Sequence, residues 1–338
     1  MKTILVTGGA GYIGSAVALE FSKNNFNVIV LDDLLYDQKF NFSWTKFYKA
    51  DFADTQILKQ IFNSHKIDAV VHCAAFIEVG KSVKDPKIFY ENNVIKTIKL
   101  LDFLFEHDVK KFIFSSSCAV YGIPENLPLR EDHIKKPISP YGNTKLIVEM
   151  VLSDYANAYG LNSVCLRYFN AAGAIPEENI GELHEPETHL IPLILDAAYN
   201  QKTFNVFGND YKTPDGSCIR DYLHIKDIAD AHLKSYEYLN VNNLSENFNL
   251  GTGRGYSVLQ VIDAVKKITG QEVKFQIQPK RSGDPDILIA DASKANNILN
   301  WDPRYSDLKN IVQDAADFYL KNNLFFLRRK SISNKFIY

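Results

Sequence analysis

Ser115-Ser116-Ser117 end the strand-like run Lys111-Phe112-Ile113-Phe114, and Ser139-Pro140-Tyr141-Gly142-Asn143-Thr144-Lys145 sets a tyrosine and a lysine four residues apart. Ser139 reads as a helix N-cap and Pro140 as the first helical residue, so Tyr141 and Lys145 share one helical face. A free tyrosine titrates near pH 10, too high for a base at neutral pH, but a neighbouring ammonium favours the phenolate. The chemistry predicted is proton transfer from a substrate oxygen to Tyr141 as base, with Lys145 supplying charge and holding a ribose. The Ser117 hydroxyl would bind the same substrate oxygen and guide the proton.

A hydride acceptor is predicted by a second motif. The first strand runs into Gly8-Gly9-Ala10-Gly11-Tyr12-Ile13-Gly14 and then a helical pattern from Ser15 to Lys23. Glycines there permit a tight turn, close approach of backbone N–H groups to a pyrophosphate, and close packing of helix on strand. Asp32 ends the second strand, where a carboxylate accepts from a ribose diol and repels a 2′-phosphate. No arginine follows it in Asp33-Leu34-Leu35-Tyr36, so NAD is favoured over NADP. Asp51-Phe52, after the third strand, can meet the adenine. His72-Cys73-Ala74-Ala75 ends the fourth strand with small residues that let a cofactor pass.

These groups need a scaffold that brings strand ends together. From Lys2 to about Arg167, β-branched runs alternate with helical patterns, the signature of a parallel sheet with crossover helices. The strands predicted are Thr3–Thr7, Asn27–Leu31, Phe47–Lys49, Ala69–His72, Lys111–Ser116 and Ser163–Leu166. A helix is predicted over Asn92–Glu106, with Ile95, Ile98, Leu101 and Phe105 on one face. The fold class is α/β, a doubly wound parallel sheet. Beyond Arg167 come longer loops rich in Gly, Pro, Asn and Asp, at Ala174–Pro186 and Gly208–Gly216. Ile225–Leu239 is predicted to pack back on the first half, while Val258–Thr269 and Leu308–Leu320 read as amphipathic helices of a smaller, discontinuous domain. The basic tail from Arg328 to Tyr338 reads as frayed.

Composition narrows the function. With 338 residues, room exists for about two domains, and 46% hydrophobic against 23% charged residues excludes wholesale disorder. Lys and Arg number 38 and Asp and Glu 40, a net charge of -2 that predicts no nucleic-acid or membrane partner. Any anionic ligand must be held by local charge. The N-terminal apolar run is too short for a signal peptide, and no stretch approaches the roughly 20 apolar residues that cross a bilayer. The four cysteines include no C-x-x-C pair, so no metal is predicted and the reducing cytoplasm is the expected compartment.

The glycine loop and the ordered set Ser117, Tyr141 and Lys145 resemble the extended short-chain dehydrogenase/reductase family. Within it, the chain resembles the UDP-galactose 4-epimerases from Ile4 to about Tyr319. The resemblance rests on Asn92-Asn93-Val94, Val120-Tyr121-Gly122, Leu166-Arg167-Tyr168-Phe169-Asn170, Phe207-Gly208-Asn209-Asp210-Tyr211 with Asp215-Gly216, Ile219-Arg220-Asp221-Tyr222 and Arg281-Ser282-Gly283-Asp284-Pro285. It implies a Rossmann-type domain over residues 1–170, with 222–250 packing back on it. It further implies a smaller α+β UDP-sugar domain over 171–221 and 251–322, and a tail from 323 to 338.

Toward NAD, the resemblance adds Asn93, Ser115 and Tyr168 to Gly8, Gly11, Tyr12, Ile13, Gly14, Asp32, Asp33, Asp51, Phe52, Cys73, Ala74, Ala75, Tyr141 and Lys145. Toward the UDP-sugar, it implies that Asn170, Arg220 and Arg281 contact the diphosphate, Asp284 the uridine ribose, and Asn205-Val206-Phe207 the uracil. His189, Leu190, Tyr222 and Leu288 complete the set beside Ser117 and Tyr141. Two guanidinium groups suit a pyrophosphate. The implied reaction passes hydride from C4′ of the sugar to NAD, turns the 4-keto sugar over, and returns hydride to its other face, so NAD stays bound.

Departures from the resembled enzymes bear on specificity. Leu288 replaces either a bulky aromatic or a small residue beside the sugar 2′-position, and its intermediate size predicts that plain and N-acetylated UDP-hexoses are both accepted. His189 stands where some relatives have Asn and can bind sugar or phosphate or cap a helix; Ile77 stands where a Lys is common. Rival readings are a nucleotide-sugar dehydratase or decarboxylase, and a non-enzymatic NAD-binding protein. A dehydratase of this family carries Asp-Glu after the catalytic Ser or Thr, where this chain has Cys118-Ala119. A sensor has no need of Ser117, Tyr141 and Lys145 together. The resemblance also implies a homodimer, with Asn92–Glu106 and Tyr141–Tyr159 as candidate contact helices.

Overall fold

Each short β-branched run is flanked by glycine, aspartate or a helix cap, and each becomes a strand at the predicted place. The computed structural model describes residues 1–35, 42–184, 186–281 and 283–333, with side chains as far as residue 322. Its first half contains the strands β1 (Thr3–Thr7), β2 (Asn27–Asp32), β3 (Lys46–Lys49), β4 (Ala69–His72), β5 (Lys111–Ser115) and β6 (Asn162–Tyr168). Between them lie helices α1 (Tyr12–Lys23), α2 (Thr55–Ser64), α3 (Val79–Lys84), α4 (Pro86–Tyr90), α5 (Lys96–Glu106) and α6 (Pro140–Tyr159). The second half adds β7 (Asn170–Ala172), α7 (Leu190–Tyr199), β8 (Thr203–Phe207), β9 (Ile219–Arg220), β10 (Tyr222–His224), α8 (Ile225–Asn242) and β11 (Glu246–Leu250). It closes with β12 (Tyr256–Ser257), α9 (Val258–Thr269), β13 (Lys274–Gln278), β14 (Ile287–Leu288), α10 (Ser293–Leu299) and α11 (Leu308–Ser333).

Seven strands form one parallel sheet in the order β11-β6-β5-β4-β1-β2-β3. Alternation along the strands builds a core on each face. Ile4, Val6, Val28 and Val30 pack with α1 and α8, while Leu5, Ile29 and Leu31 pack with α2, α5 and α6. The strand order reverses between β1 and β4, and in such sheets ligands bind outside the carboxyl ends at that point. A third core, with Ile194, Val206, Ile262 and Ile311, joins α7, α9 and α11 around the short parallel pair β8–β13.

Two expectations change. The predicted helix over Asn92–Glu106 opens with a wide π turn, Glu91–Ile95, before α5. The extra residue in that turn rotates the helix, so Leu100, Leu101, Phe103 and Leu104 are buried while Ile95 and Phe105 remain 50% and 45% exposed. Of the four residues expected on the inner face, Leu101 alone is fully buried. At the other end of the chain, the backbone of α11 carries Arg328–Lys330 as helix to Ser333 rather than as loose chain, and residues 334–338 lie outside the described ones. Among the described residues, no helix is long and apolar enough to cross a membrane.

Candidate active site

The glycine loop sits at the carboxyl edge of β1, against the end of β4. Gly8 has φ +71°, and a Cβ there would lie 2.5 Å from the Ala74 nitrogen; one on Gly14 would lie 2.0 Å from the Gly8 carbonyl oxygen. Both positions therefore require glycine. Gly11 caps α1 without a side-chain bond, so the first-turn N–H groups of Tyr12, Ile13 and Gly14 have no intrahelical acceptor. Such a terminus suits a phosphate anion. The side chains of Tyr12 and Ile13 turn away from it: the Tyr12 hydroxyl donates to the Gly173 carbonyl at 2.6 Å, and Ile13 packs on the core.

Asp32 holds the loop as well as facing it. One carboxylate oxygen accepts from the Ala10 N–H at 3.0 Å and the other from the Leu34 N–H at 2.8 Å. Burial pushes its pKa up, and these backbone donors oppose the rise. Asp33 is exposed and bonds its own turn at Leu35, and Tyr36 lies outside the described residues. Three other groups expected at the cofactor have protein partners. Asp51 pairs with Lys96 at 2.5 Å, and the buried Phe52 ring meets His72 at 4.9 Å. Asn93 clamps Phe76 by accepting from its N–H at 2.8 Å and donating to its carbonyl at 2.9 Å. Cys73, Ala74 and Ala75 are half-buried at the end of β4, as small residues beside a cofactor path should be.

The proton-transfer residues meet where β5 ends against α6. Ser139 caps the helix by accepting the Gly142 N–H at 3.2 Å, with Pro140 as the first helical residue. Tyr141, 9% exposed, is hydrogen-bonded through its side chain to Ser117, and its N–H donates to Ser82 Oγ at 3.2 Å. Lys145 is buried with Nζ 5.8 Å from the Tyr141 ring centroid, and it donates to the Ser115 carbonyl at 2.7 Å. The Ser115 hydroxyl meets Cys73 Sγ at 3.2 Å and His232 Nε2 at 3.0 Å, and Tyr168 approaches the same hydroxyl.

The electrostatics correct the sequence reading. Burial pushes Tyr141 up to about 12, opposed by its hydrogen bond to Ser117, and burial brings Lys145 down to about 8. In the free protein, desolvation outweighs the expected stabilisation of the phenolate by the ammonium. The neutral phenol is the resting form.

The substrate-side residues lie on short strands and loops of the second half. Arg220 and Leu288 face each other in the β9–β14 register, as do Asn170 and Tyr222 in β7–β10. Arg220 donates to Asp284 at 2.5 Å, and the Tyr211 hydroxyl donates to the other carboxylate oxygen at 2.9 Å. The Arg281 guanidinium lies 4.2 Å from the Phe207 ring centroid. Arg220, Arg281 and Asp284 lie within electrostatic reach of Cys218, and Arg220 also within reach of Cys118, which follows β5. A cleft of about 430 Å³ bounded by Ile123, Lys212, Asp284 and Ile287 adjoins them. Asn170 Oδ1 is buried without a protein partner, so its amide retains capacity for a ligand.

Other residues of this set are engaged elsewhere. Val206 and Tyr222 are buried in the third core, and the half-buried Leu190 packs against it. Asn205 accepts from Gln276 and Gln278 at 2.8 and 3.2 Å. His189 begins α7 but gives no side-chain cap; its Nδ1 lies 3.0 Å from Glu187 and 3.5 Å from Glu182. Burial works against its charge and the carboxylates outweigh it, so its pKa is raised. Glu182, His184 and His189 bring ligand-type atoms within 4.8 Å, a grouping the sequence reading missed, in which both imidazoles contact carboxylates. Ser282 lies outside the described residues.

Sequence reasoning also missed Ser82, His232 and Glu149, and quoted Tyr211 and Arg167 as motif residues without giving them a role. Glu149 had a usable signal: it falls four residues after Lys145 on the same helical face, where an acid is unexpected against a sheet.

A doubly wound parallel sheet with a glycine cradle at the switch point and a buried Ser, Tyr and Lys at the neighbouring strand end defines a dinucleotide-dependent class acting on alcohols. The chain belongs to the NAD dependent epimerase/dehydratase family, whose pattern matches residues 4–251. It is 49% identical to the UDP-glucose 4-epimerase of Halalkalibacterium halodurans, over 94% of this chain and 95% of that one. Among solved structures, it resembles UDP-glucose 4-epimerase from Brucella ovis in complex with NAD, with 42% identity, a TM-score of 0.89, and coverage of 94% and 98%. It also resembles the UDP-Glc/GlcNAc 4-epimerase of Campylobacter jejuni, with 40% identity, a TM-score of 0.82, and coverage of 95% and 100%.

Proposed function

We propose that this chain is an NAD-dependent 4-epimerase that interconverts UDP-glucose and UDP-galactose, with Tyr141 as its base. The observation that carries the reading is the buried Tyr141–Ser117 contact, with Lys145 one turn along α6, beside a glycine cradle that a single Cβ would fill. The activities named for the relatives support it. In this reading, residues 1–170 with 222–250 hold NAD, and residues 171–221 with 251–322 hold the UDP-sugar.

The cradle fits a dinucleotide: Gly8, Gly11 and Gly14 with the first-turn N–H groups would hold the pyrophosphate, and Asp32 a ribose. When bound, the oxidised nicotinamide supplies the hydride acceptor and a positive ring charge. Tyr141 Oη takes the 4′-hydroxyl proton, and the Ser117 hydroxyl orients the oxygen that loses it. Lys145 favours the phenolate once its ammonium is held beside Tyr141. Asn170, Arg220 and Arg281 grip the diphosphate and leave the hexose free to turn, with Asp284 and Phe207 at the nucleoside.

Leu288 is half-buried opposite Arg220 and packed near Cys118 and Phe169, and its size, intermediate between a bulky aromatic and a small residue, supports the N-acetylated UDP-hexoses as substrates too. The protein acts as a homodimer through the stretch Asn92–Glu106 and α6, where Ile95, Phe105, Met150 and Tyr159 are exposed and Phe105 lies 4.6 Å from Tyr159. Four free cysteines accord with a reducing cytoplasm.

The test is to incubate the purified protein, without added nucleotide, with UDP-galactose and separately with UDP-N-acetylgalactosamine. Proton NMR then reads the 4′-stereochemistry. Conversion of UDP-galactose is expected; if it does not occur even with NAD supplied, the reading fails.

A further inference from the structure

Behind the proton-transfer residues lies a buried ionic network that the reaction scheme leaves unused. Glu149 and Arg167 have side chains 5% and 1% exposed. Arg167 donates from Nε to Glu149 Oε1 at 2.9 Å and from Nη2 to Oε2 at 2.6 Å, a bidentate fork. Ser116 Oγ donates to Glu149 Oε1 at 2.6 Å. Arg167 Nη1 donates to the Tyr121 hydroxyl at 2.9 Å, which in turn donates to Asn249 Oδ1 on β11 at 2.6 Å.

The three consecutive serines meet α6 at successive turns. Ser117 meets Tyr141, the Ser115 carbonyl takes the Lys145 ammonium, and the Ser116 hydroxyl meets Glu149. Tyr141, Lys145 and Glu149 follow one another at four-residue steps on one helical face. The register of α6 against the end of β5 is thus fixed at three points, the third of which is anchored through Arg167 to β6 and through Tyr121 to β11. A buried ion pair is a weak source of stability, since apolar replacement is often neutral, but its fork permits only one geometry.

We propose that Glu149 and Arg167 are positioning residues for the Tyr141–Lys145 pair, locking α6 in register with the serine strand end while Glu149 supplies the negative charge behind Lys145. This rests on the reading of Tyr141 and Lys145 as the proton-transfer pair. The groups acting on Lys145 are Tyr141 and Glu149 on α6, His72 and Cys73 at the end of β4, and Cys165 on β6, with Arg167 held by Glu149 behind them. Burial pushes Cys73 up to about 11 and Cys165 well above its ordinary value, and takes His72 down to about 3. Those three are uncharged at neutral pH, and Glu149 is the one carboxylate of the set. Burial already lowers Lys145 to about 8, so removing Glu149 lowers it further.

The experiment compares Glu149→Gln, the double variant E149L/R167M and Arg167→Lys with the wild type, measuring kcat and KM for UDP-galactose against pH. The double variant removes both buried charges and covers the case in which Gln at position 149 alone does not fold. Glu149→Gln and the double variant are expected to lower kcat about tenfold or more, with KM nearly unchanged, because the groups binding the nucleotide lie on other elements. In Glu149→Gln the alkaline limb of kcat moves down by roughly half a pH unit or more, whereas the double variant, which removes one charge of each sign, keeps its limb near the wild-type pH. Arg167→Lys keeps the Glu149 charge, so its alkaline limb stays at the wild-type pH. If neither charge-removing variant folds, if those that fold keep the wild-type kcat, or if Glu149→Gln folds and keeps the wild-type alkaline limb, the pair serves the fold alone and the proposal is overturned. A wild type inactive on UDP-galactose would instead sink the underlying epimerase reading.

Discussion

In the proposed reading, the strand-end cluster of the first half and the arginine-bearing surface of the second half have different tasks and are built from different residues. At the end of β5, Ser115, Ser117, Tyr141 and Lys145 are nearly all buried, and each has a protein partner. They sit at the end of a central strand and on a twenty-residue helix packed against the sheet. On the other side, Arg220, Asp284, Phe207 and Arg281 occupy two-residue strands, strand ends and loops, half-open to solvent, with Asn170 Oδ1 unpartnered. The contrast teaches where rigidity is needed. Proton and hydride transfer tolerate little displacement, while a diphosphate can be gripped by charges that adjust around it.

That division can be broken from either side. The largest effect is expected at Tyr141→Phe, which removes the proton acceptor and keeps the ring; kcat should fall by about 10²- to 10⁴-fold, measured by steady-state epimerisation, with KM little changed. Next comes Arg220→Ala, which deletes a charge-assisted contact and leaves Asp284 without its partner. KM for UDP-galactose should rise roughly tenfold or more while kcat falls less, the opposite split.

Leu288→Tyr sharpens the specificity side. Conversion of UDP-N-acetylgalactosamine should drop about tenfold or more in kcat/KM while UDP-galactose is converted nearly as before. Equal losses on both sugars would remove Leu288 from the sugar pocket. The smallest effect concerns the loop before α7. Carboxylate neighbours raise His184 and His189 above the ordinary histidine value, so the protonated imidazoles favour the folded state. This contribution is complete below the unfolded histidine pKa, about 6.5, and is lost as pH rises through the raised values. The melting temperature should therefore fall slightly between about pH 6 and 8, and Glu187→Gln should flatten that slope.

The two regions also differed in how far the sequence disclosed them. The glycine loop, Asp32, Ser117, Tyr141 and Lys145 were legible because each lies at a fixed offset from a strand or helix boundary, and local spacing implies geometry there. The pair Glu149–Arg167 was not, since its partners Ser116, Tyr121 and Asn249 come from separate elements that only the sheet order assembles. Strand β11, Glu246–Leu250, alternates asparagine with apolar residues and gives no buried-strand signal, yet Asn249 is fully buried because it bonds Tyr121 and the Leu129 carbonyl. The π turn before α5 shifted which apolar residues face inward, something periodicity in an ideal helix misses. On the substrate side, the motif residues were recognised, but which of them face a ligand was not. Val206 belongs to the core because β8 alternates faces, and Tyr222 because all three residues of β10 are buried, patterns that such short strands conceal.

The claim that chemistry and recognition reside in separate regions is tested most directly by calorimetric titration of UDP into Tyr141→Phe and Arg220→Ala beside the wild type. The account predicts wild-type affinity for Tyr141→Phe and a loss of about tenfold or more for Arg220→Ala. Equal weakening in both variants would contradict it, since the strand-end cluster would then be holding the nucleotide as well as moving the proton.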